Sequence, residues 1–181
     1  MDAFEFLFSF FGLLLGLSVA EIAAGFSRTY DRRKVYPVGW LGPMLAVVLL
    51  LDLASFWVGA WQGREAVTVN FRTTLNYGVV GLLYYFAAIQ VFPREGANEA
   101  LDTHVMAHRK AVAFSVIASN IIMFGPGFLR PDWTTDTLIN LGVNLIYFGL
   151  LVTVSLARSQ RVVTGALMLT AGFLLAGLWN D

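Results

Sequence analysis

Apolar residues in this chain run in long, nearly unbroken stretches, and polar residues collect in the short segments between them. Six stretches reach the length of about 20 residues that a bilayer crossing requires: Phe4–Phe26, Trp40–Trp61, Thr74–Phe92, Ala111–Leu129, Thr137–Ala157 and Val162–Trp179. Backbone groups in lipid must be satisfied within the segment, so each stretch predicts a helix. The pattern specifies an all-α integral membrane protein, a six-transmembrane-helix bundle forming one domain over residues 1–181. The longest connection, Pro93–Lys110, reads as a cytoplasmic interfacial loop with room for one short helix. Asp2 and Glu5 stand where a signal peptide would carry basic residues, and the first apolar run is too long for one. It therefore reads as a retained first helix.

Composition agrees with the pattern. The chain is 57% hydrophobic and 13% charged, with a mean hydropathy of +0.69, whereas a soluble domain carries about 25% charged residues. Twelve Lys and Arg balance twelve Asp and Glu, so the chain as a whole offers no attraction for nucleic acid. With no cysteine, disulfides, zinc ribbons, iron–sulfur clusters and thiol catalysis are excluded.

The basic residues are unevenly placed. Arg28, Arg32, Arg33, Lys34, Arg94, Arg109, Lys110, Arg158 and Arg161 fall in the first, third and fifth connections, against Arg64, Arg72 and Arg130 in the second and fourth. The positive-inside rule then puts the odd connections in the cytoplasm and both termini on the non-cytoplasmic side. Tyr30, Tyr36 and Trp40 mark the inner interface, and Trp61, Trp133 and Trp179 the outer one.

Two carboxylates lie inside the spans, Glu21 and Asp52. A charge near the bilayer centre costs roughly 2.5–3.5 kcal/mol and calls for a partner or a function. At about 1.5 Å per residue, Asp52 sits about 18 Å from the inner end of the second helix, and Glu21 roughly 25 Å from the outer end of the first. Glu21 is close enough to Arg28 or Arg32 to pair with either. Neutral polar residues recur at related depths. Asn76, Asn120, Asn140 and Asn144 suggest an outer cluster with Asp52, the face of the fifth helix continuing to Tyr147; Ser18 and Gln90 suggest an inner one with Glu21. Such groups serve either as interhelical hydrogen bonds or as a site for protons or small cations. Asn would supply the same bonds as Asp52 without the charge, which makes Asp52 the stronger functional candidate.

Gly12, Gly16, Ala20 and Ala24 form a ridge at four-residue spacing along the first helix, suited to close packing. Internal packing is the expected use, a homo-oligomer seam the other. Gly172 and Ala176 make a shorter ridge in the sixth helix, and Gly125-Pro126-Gly127 should kink or end the fourth. His104 and His108, one turn apart, are weak metal candidates, because a zinc site wants three or four ligands. Leu101, His104, Val105, His108 and Val112 read instead as the membrane-facing side of an interfacial segment.

The only lysines, Lys34 and Lys110, lie outside the spans, so no retinal Schiff base can form within the membrane. A regular arginine series, a Walker motif and intramembrane histidines are also missing, which argues against a voltage sensor, an ATPase and a bis-histidine haem. The halves beginning at Phe4 and Ala111 show no convincing internal repeat. The Phe-rich start, GLLLGLSVAE and the basic loop that follows are typical of bacterial inner-membrane proteins.

These features favour a small transporter or channel for protons or small cations centred on Asp52. The alternative is a non-catalytic membrane subunit, scaffold or assembly factor that docks other membrane proteins through small-residue faces. An enzyme working through His104 and His108 is disfavoured for want of a catalytic arrangement. No cofactor is expected. The expected partners are membrane lipid and a second copy or another membrane protein.

Overall fold

The computed structural model describes residues 3–94, 99–128 and 134–180. Arg130, Trp133, Asp2 and Asp181 lie outside the described residues, as does the side chain of Trp179. The described chain is helical throughout: α1 (Ala3–Asp31), α2 (Leu41–Gln62), a 3-10 turn (Gly63–Ala66), α3 (Phe71–Val91), α4 (Leu101–Phe128), α5 (Thr135–Leu156) and α6 (Gln160–Asn180). Five of the six helices, all but α4, are long and apolar enough to cross a membrane among the described residues. The protein is thus a multi-pass membrane helical bundle.

Central α2 packs against α1, α3, α4 and α6; α3 lies between α1 and α4, and α5 between α4 and α6. The core runs through this arrangement, with Phe11, Phe56, Val80, Tyr84, Val105 and Leu167 fully buried. Two glycines permit close approaches between α1 and the α3 region. A Cβ on Gly81 would stand 2.7 Å from Cβ of Leu14, so α1 and α3 cross there at backbone distance. A Cβ on Gly25 would run into the Phe92 ring, which lies tilted against Phe26 with centroids 5.0 Å apart.

Helix α4 departs from the sequence pattern. It is 28 residues long and begins at Leu101, so the second half of the 93–110 segment is the start of a long helix and not a separate interfacial piece. Leu101, His104, Val105 and Val112 are buried and His108 partly so; they face the bundle and not the lipid. The polar residues that lower the hydropathy of this region have partners within the protein. Asp102 Oδ1 accepts the Leu41 N–H at 3.0 Å, satisfying one of the orphan donors at the start of α2. Gly39 leaves room for that carboxylate, since a Cβ there would collide with it. Arg109, only 8% exposed, donates from Nε to the Val154 carbonyl at 3.0 Å and from Nη2 to the Ala157 carbonyl at 2.7 Å. It thereby caps the C-terminal end of α5, where a cation also suits the helix dipole. These contacts gather the first, third and fifth connections at one end of the bundle.

At the other end of α4 the backbone stays helical through Gly125, Pro126 and Gly127 as far as Phe128, the last described residue of that segment. Gly125-Pro126-Gly127 therefore does not interrupt the helix within the described residues.

The ridge on α1 is the other departure. Gly12 does pack internally, because a Cβ there would stand 2.8 Å from Cζ3 of Trp57. Gly16, Ala20 and Ala24 are exposed, and Gly16 has nothing within 4 Å of where a Cβ would be. The helix turns its larger residues, Leu7, Phe11, Leu15 and Ile22, into the core instead. Gly172 and Ala176 on α6 are exposed as well.

Candidate functional site

Asp52 lies at the centre of the bundle and is 2% exposed. Its neighbours on α2, Leu49, Leu53 and Phe56, are equally buried. The charge is met from two other helices. Tyr84 of α3 donates its hydroxyl to Oδ2 at 2.7 Å, and Tyr147 of α5 donates to Oδ1 at 2.6 Å. Asn120 of α4 borders the same carboxylate, while its amide donates to the Val116 carbonyl one turn back at 3.0 Å. Tyr84, Tyr147 and Asn120 are all buried. Four helices therefore converge on one carboxylate, joined by two short hydrogen bonds of the charge-assisted kind.

Aromatic packing holds the tyrosines in place. The Tyr84 ring meets Phe56 edge-on at 5.3 Å, and Tyr147 stacks on Phe173 of α6 at 6.1 Å. Toward the inner side, Asp52 borders a cavity of about 10 Å³ walled by Leu45, Val112, Val116, Leu151 and Val154. That is room for at most one water molecule. Two further hydroxyls in the interior, Tyr77 Oη and Ser155 Oγ, are buried without a hydrogen-bond partner. Tyr77 lies two turns before Tyr84 on the same face of α3, and Ser155 two turns beyond Tyr147 on α5.

Among the asparagines, the structure brings only Asn120 to Asp52. Asn76 is partly buried, with no hydrogen bond to Asp52. Asn140 is exposed, and Asn144 donates to the Asn140 carbonyl at 2.8 Å. The reason lies in α5, whose outer half exposes Leu138, Ile139, Leu145 and Ile146 by more than half their surface. Only from Tyr147 inward does the helix press its side chains into the core. Tyr84 is the site residue that the sequence reading missed. Its signal was a tyrosine in mid-span, away from the interfaces where tyrosines collect.

Glu21 belongs to a separate place. It accepts from Arg28 Nη2 at 2.7 Å, both side chains being about one third exposed, at 28% and 33%. Ser18 is buried and bonds its own helix at the Leu14 carbonyl, and Gln90 gives its backbone carbonyl to His104 Nε2 at 3.2 Å. Glu21, Ser18 and Gln90 thus form no joint cluster. The other His104 nitrogen, Nδ1, meets Glu99 Oε1 at 2.7 Å. The ring thus lies between a carboxylate oxygen and a backbone carbonyl. His108 stacks on His104 at 4.1 Å and spends Nδ1 on the His104 carbonyl. Among the described residues no three His, Asp or Glu side chains come together in a metal-binding arrangement.

Compared with protein-family models, with curated proteins and with solved structures, the chain finds no match.

Proposed function

We propose that the protein is a small multi-pass membrane transporter or channel that handles protons, with Asp52 as the group that takes up and releases them. The observation that carries this reading is a carboxylate buried at mid-depth and held by hydroxyls from two other helices, Tyr84 and Tyr147. Hydrogen bonding alone could be had from an asparagine at lower cost. Metal cations suit the site poorly. Hard cations want about six oxygen ligands, and here both carboxylate oxygens already receive O–H donors within apolar walls. A proton needs no such cage. Tyrosine hydroxyls both donate and accept, and the unpartnered hydroxyls of Tyr77 and Ser155 are polar stations above and below Asp52. We place the chain in a bacterial inner membrane with the Arg-rich connections in the cytoplasm.

The test is the collapse of a pH gradient in liposomes reconstituted with the wild type or Asp52→Asn. Flux in the wild type that Asp52→Asn removes supports the proposal; equal flux, or none in either, refutes it.

A second reading, a membrane subunit or scaffold, is favoured by the open ridge of Gly16, Ala20 and Ala24. Small residues on an exposed helix face let another helix approach closely. Purification from native membranes in mild detergent tests it. A stoichiometric companion or a stable homo-oligomer, lost on Ala20→Leu, supports this reading, and a monomer without companion refutes it.

A further inference from the structure

A second cavity lies away from Asp52. It has a volume of about 460 Å³ and opens at the end of the bundle where the first and third connections meet. Ligand pockets generally span about 300–1,000 Å³, so this one is large enough for a headgroup or a small metabolite. Arg28 and Arg32, one turn apart near the end of α1, line it together with Arg94 just after α3. Tyr36 adds an aromatic wall, and Asp31 and Glu99 are the acidic residues of the lining.

The charges are not equally committed. Glu99 Oε1 is already engaged by His104 Nδ1 at 2.7 Å. Arg28 binds Glu21 through Nη2 alone, while its Nε is buried and has no hydrogen-bond partner. A buried guanidinium N–H without a partner is rare in native proteins and calls for an acceptor. Arg94 is exposed at the mouth of the cavity, and Arg32, also exposed there, has an interaction of its own within the protein. Guanidinium groups present planar forks that match the paired oxygens of phosphate. Exposed Tyr30 and Trp40 stand on the same end of the bundle, as residues at a membrane–water interface do. Basic pockets at that level are suited to anionic headgroups.

We infer that this cavity is a binding site for a phosphate-bearing anion, held by Arg28, Arg32 and Arg94. The phosphate arrives either on a lipid headgroup or on a soluble molecule. The site is independent of proton transfer at Asp52.

The experiment uses the full chain, delipidated in detergent, titrated with phosphatidylglycerol, with phosphatidylcholine of the same acyl chains, and with inorganic phosphate, binding being read by native mass spectrometry and thermal shift. Arg32→Gln/Arg94→Gln alters the cavity at exposed positions. Arg158→Gln/Arg161→Gln removes the same charge from exposed positions outside it. The inference expects the wild type to bind phosphatidylglycerol about tenfold more tightly than phosphatidylcholine, the effect of one charge-assisted contact. That preference falls by about the same factor in Arg32→Gln/Arg94→Gln and persists in the control. Inorganic phosphate that binds alone and competes identifies a soluble source; preference for phosphatidylglycerol without competition identifies the lipid. Equal binding of both lipids together with no phosphate binding overturns the inference. So does equal loss in the cavity and control variants, which would reduce the effect to general charge.

Discussion

Removing one hydroxyl tests the coupling at the heart of the bundle. Tyr147→Phe keeps the ring, its stacking on Phe173 and its contact with Phe148, and deletes only the donor 2.6 Å from Asp52 Oδ1. A hydrogen bond to a charged group is worth about 1.5–3 kcal/mol in soluble proteins. Interhelical bonds in a membrane protein average about 0.6 kcal/mol and reach about 1.7. Asp52 belongs at the upper end of the membrane range, because the adjoining cavity of about 10 Å³ admits at most one water to replace the lost donor. The expected loss is about 1.5 kcal/mol, or roughly tenfold in the folding equilibrium. In an Asp52→Leu background the same substitution removes a hydroxyl that has already lost its acceptor, so it should be neutral or stabilising. The assay is a double-mutant cycle by SDS unfolding in mixed micelles, followed by circular dichroism. If Tyr147→Phe costs the same in both backgrounds, the hydroxyl and the carboxylate are not coupled, and the reasoning fails.

Two further substitutions probe the scaffold around the site. Gly81→Ala should destabilise the bundle by about 1–3 kcal/mol, the usual cost of overpacking, because its Cβ would press on Cβ of Leu14, which cannot swing aside. The same unfolding assay reads it, and a loss below the error of the method would show that α1 and α3 are less tightly crossed. Asp102→Ala should cost about 1 kcal/mol by uncapping Leu41 at the start of α2. Asp102→Asn, which keeps an acceptor oxygen, should recover most of that; equal loss in both would assign the effect to charge and not to the cap.

The helices were legible because long apolar runs have few alternatives in a chain this hydrophobic. The start of α4 was not, because hydropathy counts Asp102, His104 and Arg109 as water-seeking wherever they stand. Each instead has a protein partner: the Leu41 amide, Glu99 with the Gln90 carbonyl, and the carbonyls ending α5. The ridge on α1 marked where close approach is allowed, with no information on who approaches. Within the chain α1 approaches α3 closely at Gly81, a residue that belongs to no ridge. Asp52 stood out by the cost of its charge, and its partners did not, since tyrosine in a membrane helix reads first as an interfacial or bulk aromatic. Position along α5 also decided the matter: Tyr147 is buried and reaches Asp52, whereas Asn140 and Asn144 lie on the outer part of the same helix, which turns away from the core.

The central claim is that Asp52 exchanges a proton while the bundle stays folded. Infrared spectroscopy of the protein in lipid, titrated with pH, measures this at the carboxyl group itself. A carboxylic acid band should come and go reversibly with pH, vanish in Asp52→Asn, and shift in frequency in Tyr147→Phe. A band unchanged by Asp52→Asn, or an Asp52 that keeps one protonation state at every pH where the helices remain intact, would contradict the account.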